Sequence, residues 1–184
     1  DILTKEKKLV KEVEIPSGHD PDKYVVERIK AKSHDGRMIP ISLVRLKNSK
    51  QDGKSKILLY AYGAYKHSIL PSFSASRFCL VDRGITFAIA HIRGGGDLGD
   101  IWHEEGKKQL KKNTFLDYIA CANHLIDQRY TYKGGICFYG GSAGGLTGGA
   151  LANMAPELFF SMLLLVPFVD TMTTMLNEKL PLTP

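Results

Sequence analysis

Apolar residues gather along this chain in short runs, separated by glycine, proline and charged turns, and that rhythm sets the first expectations. Residues 24–32 (YVVERIKAK) and 38–46 are β-rich and flank the turn signal His34, Asp35, Gly36, so they predict a β-hairpin. Pro40 cannot donate to a ladder and favours an edge position for the second of these strands. Residues 57–60 (ILLY), 86–91 (TFAIAH), 136–139 (ICFY) and 162–166 (MLLLV) are continuous apolar runs of the kind shown by fully buried parallel strands. The period changes between the third and second of these from the end: Phe115, Ile119, Ala122 and Ile126 mark one face of a helix over 114–128. Asn113 is its expected N-cap, with Asp117 in the first turn where the helix dipole favours an acid. A second, glycine-rich helix is expected from just after Ser142 to about Met154, before Pro156 stops it. Strands alternating with helices in this way predict an α/β fold with a mainly parallel sheet.

Composition narrows the classes. A chain of 184 residues has room for one domain, or most of one, and 43% hydrophobic with 24% charged residues excludes wholesale disorder and a collagenous repeat. The net charge of +6 comes from lysine clusters such as Lys5, Lys7, Lys8 and Lys107, Lys108, Lys111, Lys112. No aromatic residues interleave with them as stacking platforms, so they read as a solvated basic face and no nucleic acid is expected as partner. Cys79, Cys121 and Cys137 are far apart in apolar surroundings, which predicts reduced, buried thiols and no metal site. The first ten residues hold three lysines and no apolar leader core, and the longest apolar stretch, 162–169, is interrupted by Pro167; no membrane segment and a cytoplasmic location are expected. Residues 16–22 are a cluster of turn formers that reads as a linker closing a charged first segment.

The sharpest chemical signal is Gly140, Gly141, Ser142, Ala143, Gly144, a G-x-S-x-G placed between an expected buried strand and a glycine-rich helix. That is the strand-turn-helix context of a nucleophile elbow, in which a serine in a strained turn is thrust out at the carboxyl end of a sheet and needs small neighbours. A tight turn or a phosphate cradle is the plainer reading, but the Gly-Lys-Ser/Thr of a phosphate-binding loop is missing. Ser142 is therefore the candidate nucleophile, with the Ala143 N–H as one oxyanion donor. The second donor belongs to the loop after an earlier strand; Tyr62, in 61–65, fits that position and on spacing alone fits simple packing equally well. Gly94, Gly96 and Gly99 form a G-x-G-x-x-G after 86–91, but the residues that follow are charged and this is not a first βα turn, so a structural loop and no bound cofactor are expected.

The segments YAYGAY (60–65), HIRGGGDLGDIWHEEGK (91–107), KKNTFLDYIACANHLI (111–126) and GGSAGG (140–145) together resemble the prolyl oligopeptidase family of serine peptidases. With VPFVD (166–170) and LPLT (180–183) they are most similar to its oligopeptidase B branch. The resemblance implies an α/β-hydrolase fold, a mainly parallel sheet with flanking helices, truncated at the C-terminal end. Residues 1–20 would be the exit segment and linker of a β-propeller, and 21–184 the N-terminal portion of the catalytic domain. It also implies a peptide substrate, cleavage after Lys or Arg, Ser142 as nucleophile and the Tyr62 hydroxyl beside the Ala143 N–H in the oxyanion hole. The sequence departs from the family pattern at Lys66, Leu70 and Ser72, where glycine and acidic residues are more usual. No histidine follows Ser142, although triad partners in this fold follow the serine in the order acid, then histidine. The chain alone is expected to be inactive, with a separate C-terminal chain as the partner that would supply Asp and His. A non-catalytic assembly fragment with an exposed sheet edge and a small-ester hydrolase are the alternatives.

Overall fold

A computed structural model describes residues 1–12, 14–177 and 179–180. Six strands and five helices follow in the order β1 (Tyr24–Lys32), β2 (Met38–Leu46), β3 (Ile57–Tyr60), α1 (Ala75–Val81), β4 (Thr86–Ala90), α2 (Asp100–Glu104), α3 (Lys112–Asp127), β5 (Ile136–Gly141), α4 (Ala143–Met154), β6 (Phe159–Leu165) and α5 (Thr171–Met175). They form one sheet in the order β1-β2-β4-β3-β5-β6. β1, β2 and β4 pair antiparallel, whereas β4-β3, β3-β5 and β5-β6 are parallel.

The sheet separates two layers. On one face Ile39, Ile41, Leu59, Ala88 and Phe138 pack against Tyr118, Cys121 and Leu125 of α3 and Leu151 of α4. On the other, Leu58, Phe87 and Ile89 meet Val81 of α1. Both faces of β3 and β4 are thus buried, which is why their sequences are unbroken apolar runs.

The hairpin forms as expected, but β2 is not an edge: it lies between β1 and β4. Pro40 is accommodated because β4 pairs with β2 only as far as Ile41 opposite Ala90. The Pro40 carbonyl accepts from the His91 N–H at 3.0 Å, so the ring nitrogen faces the same side, just past the end of that ladder. β6 also departs from expectation. It starts three residues earlier and is half-buried rather than fully buried, with Leu163 and Leu165 exposed, because it ends the sheet among the described residues.

The long helix shows a third difference. α3 begins at Lys112, so Asn113 lies inside its first turn, where its side-chain amide donates to the Glu105 carbonyl instead of capping. Its buried stripe is Thr114, Asp117, Tyr118, Cys121, Ala122 and Leu125; of the expected face Ala122 is fully buried, while Phe115, Ile119 and Ile126 are partly buried against the core. Asp117, in the second turn and fully buried, serves an ion pair and not the helix dipole. Cys121 and Cys137 are buried free thiols as expected, but Cys79 on α1 is exposed. The short helices α1, α2 and α5 carry no sustained apolar period and were not visible in the pattern.

Candidate active site

The elbow lies between β5 and α4. Ser142 has φ 52° and ψ −126°, a left-handed backbone on a non-glycine residue, and is exposed. Such a conformation costs roughly 1–3 kcal/mol and persists only where the surroundings enforce it. Three hydrogen bonds do so: the Ser142 N–H donates to Leu165 O (3.0 Å), and the Ser142 carbonyl accepts from Gly145 N–H and Phe168 N–H (2.9 Å each). The turn is tightest behind the serine. A Cβ on Gly145 would stand 2.4 Å from Pro167 Cβ, so α4 reaches this close to the chain after β6 only with glycine there. Ala143 opens α4, and its N–H, like any first-turn amide, has no intrahelical acceptor.

Tyr62 follows β3 at the same carboxyl end of the sheet. Its carbonyl accepts from Thr147 Oγ1 of α4 at 3.4 Å, and its ring stands edge-on to His67, centroids 5.4 Å apart. Burial raises the pKa of its phenol above the usual tyrosine value, Tyr65 adds to the rise, and the nearby Ser142 side chain partly offsets it. Tyr62 also packs on the turn after Ser142: a Cβ on Gly144 would stand 3.2 Å from Tyr62 Cα and Cδ2.

The loop after Tyr62 is held by the glycine loop after β4. A Cβ on Gly94 would be 2.1 Å from Gly63 O, and one on Gly96 2.2 Å from Lys66 O. This backbone-on-backbone contact explains the run of glycines at 94–96 without a nucleotide. Arg93 anchors the loop from below. Its guanidinium donates to both carboxylate oxygens of Asp117 (2.8 and 2.7 Å) and to Asp35 (2.5 Å), and its N–H also reaches Asp117 (3.1 Å). Burial alone would lower the Arg93 pKa, but the bonds to Asp117 and Asp35 override it and push it up, so the side chain stays charged at 1% exposure.

Lys111 overturns part of the solvated-face reading. Its Nζ donates to the Gly63 carbonyl next to Tyr62, and burial lowers its pKa to about 8. The unfolded chain, with an ordinary lysine, holds that proton until higher pH, so the buried charge destabilises the fold below pH 8 and the penalty is relieved as pH rises from about 8 to 10. Unfolding titrations of wild type and Lys111→Met should show wild type gaining stability relative to the variant across that window. A constant difference would remove the buried charge from the account.

No histidine hydrogen-bonds Ser142 among the described residues; His67 faces Tyr62 and His91 is buried against Asp97. Asp170 caps α5, its carboxylate accepting from Thr173 N–H at 3.3 Å. Positions 181–183 of the LPLT segment lie outside the described residues. Sequence reasoning missed His67, Asp97 and Lys111. Lys111 looked like one member of a lysine cluster, and only the unlike spacing of the others along a helix start could have set it apart.

A mainly parallel sheet, a strained serine at a strand-helix elbow and a tyrosine in the loop after the neighbouring strand are the arrangement of an α/β-hydrolase. Residues 71–184 match the model of the prolyl oligopeptidase family. The chain is 46% identical to dipeptidyl aminopeptidase BI of Pseudoxanthomonas mexicana, over 98% of its own length and 25% of that protein's, and 42% identical to protease 2 of Moraxella lacunata, over 100% and 26%. It superposes on oligopeptidase B from Trypanosoma brucei, with covalently bound antipain, at a TM-score of 0.94 and 44% identity, covering all of this chain and 26% of that one. The chain belongs to the prolyl oligopeptidase family and spans about a quarter of the length of the relatives it matches.

Proposed function

We propose that residues 21–184 are the N-terminal portion of the catalytic domain of a serine peptidase that cleaves peptides after Lys or Arg, with residues 1–20 leading in from a preceding propeller. Ser142 attacks the peptide carbonyl, giving its proton to the base that the rest of the domain would supply; the Tyr62 hydroxyl and Ala143 N–H hold the oxyanion, the C–N bond breaks as that proton passes to the departing amine, and water hydrolyses the acyl-serine ester. The observation that carries this reading is the enforced left-handed backbone of an exposed Ser142 beside Tyr62. The preference for basic residues is what the resemblance to the oligopeptidase B branch implies, and two structural neighbours carry that name.

The same reading makes the 184 residues inactive alone, since a serine without its base is a weak nucleophile. The open edge of β6 and a hollow of about 800 Å³ beside it, lined by Leu58, Tyr60, Tyr139, Leu163 and Leu165, are where the rest of the domain would pack, whether from the same polypeptide or a separate chain. The test is hydrolysis of fluorogenic Arg, Lys and Pro peptides by this chain with and without the segment that follows it in its relatives. Turnover of Arg and Lys peptides only in the mixture supports the reading. Turnover of Pro peptides alone would remove the basic preference, and binding without any turnover would favour an assembly role.

A further inference from the structure

We propose that Asp97 is a positioning residue for Tyr62: it pins the loop that carries the tyrosine, so that the phenol stays beside Ser142. The inference rests on the peptidase reading above. The loop is strained, with Tyr65 and Lys66 both left-handed at φ 54° and 56°. Thr147 Oγ1 meets its start at Tyr62 O (3.4 Å), and further bonds pin it downstream. Lys111 Nζ donates to Gly63 O, Lys66 N–H donates to Gly94 O (3.1 Å), and Ile69 N–H donates to Asp97 Oδ1 (3.0 Å). His67, the residue edge-on to Tyr62, lies between the pins at Lys66 and Ile69. Loss of the Asp97 pin leaves His67 free to swing away from the ring it supports.

Asp97 is itself fixed. The same Oδ1 lies 2.7 Å from His91 Nδ1, and both side chains are nearly sealed, at 6% and 2% exposure. A carboxylate only accepts, so Nδ1 carries the proton donated to it, and Nε2 of a neutral ring accepts from Ser42 Oγ at 2.9 Å. Arg28 Nη1 donates to Ser42 Oγ at 3.3 Å and closes the chain. Ser42, His91 and Asp97 have the connectivity of a catalytic triad, but Ser42 sits mid-strand, 6% exposed, in register with Arg28 on one side and Ile89 on the other. The neighbouring backbone amides belong to those ladders and leave no oxyanion hole. The relay instead ties the sheet, through Asp97, to the loop of Tyr62.

A double-mutant cycle in the full-length protein tests this. Removing one oxyanion donor lowers kcat by about 10²–10³-fold, the expectation for Tyr62→Phe. Asp97→Ala is expected to lower kcat by about 10-fold or more with KM changed less than about two-fold, and to cause no further loss once Tyr62 is Phe. Equal losses in both backgrounds would overturn the positioning role. Hydrogen exchange at the Ile69 amide should accelerate in Asp97→Ala while the β3 and β4 amides keep their protection; unchanged exchange at Ile69 would also overturn it. If the alanine variant does not fold, Asp97→Leu, close in shape but with no acceptor for the Ile69 N–H or His91 Nδ1, both of which reach Asp97 Oδ1, replaces it in the same cycle and must show the same dependence on Tyr62. Undiminished activity in Ser142→Ala or Tyr62→Phe breaks the peptidase reading itself, an outcome separate from additivity at Asp97.

Discussion

Replacing Ser142 with alanine is expected to lower peptide hydrolysis at least about 10³-fold, in the protein supplied with the rest of its catalytic domain. The loss should fall on kcat, because the hydroxyl is consumed in the chemical step while the Tyr62 and Ala143 donors remain to bind the carbonyl. Ser142→Gly should be equally inactive yet more stable. Glycine occupies φ 52° without the steric penalty that serine bears there, which is worth about 1 kcal/mol in unfolding free energy. Denaturant unfolding of wild type, Ser142→Ala and Ser142→Gly checks this. A glycine variant no more stable than alanine would mean the elbow holds no strain.

The second large effect is on the fold. Asp117→Ala leaves the Arg93 guanidinium at 1% exposure with only the more exposed Asp35 and Glu105 for partners. Breaking a buried pair from one side costs about 3–5 kcal/mol, a large share of a domain's stability. Arg93→Met is expected to be equally harmful, because it strands the Asp117 carboxylate at zero exposure with only the Ser33 hydroxyl (2.6 Å) and the Arg93 amide as donors. The double variant Arg93→Met with Asp117→Leu should recover much of the loss, since it removes both charges. Thermal or urea unfolding reads all three. Recovery absent from the double variant would show that the pair holds the glycine loop by geometry that no apolar replacement reproduces.

Much of the architecture was legible because burial on two faces leaves a simple trace. β3, β4 and the first part of β5 are unbroken apolar runs, and the spacing from them to the serine placed the elbow correctly. The face of α3 was only partly legible, Ala122 being fully buried and Phe115, Ile119 and Ile126 lying at the rim of the core, for a physical reason. Thr114 and Asp117 are polar, so an apolar count passes over them, yet they sit deepest because their partners, the Arg93 carbonyl and guanidinium, are buried with them. The edge position assigned to Pro40 failed because a proline needs only a gap in the ladder on its own side, and the short β4 supplies one. At the site, Ser142 and Tyr62 were legible from a motif and a resemblance. His67 and Asp97 were not, since their roles arise from contacts between two loops distant in sequence, 67–69 against 94–97.

The most direct measurement is covalent labelling with a fluorophosphonate followed by peptide mapping, with the segment that completes the domain present. A single adduct on Ser142, absent from Ser142→Ala, is the predicted result. An adduct at Ser42 or any other residue, or labelling undiminished in Ser142→Ala, would contradict the assignment of the nucleophile.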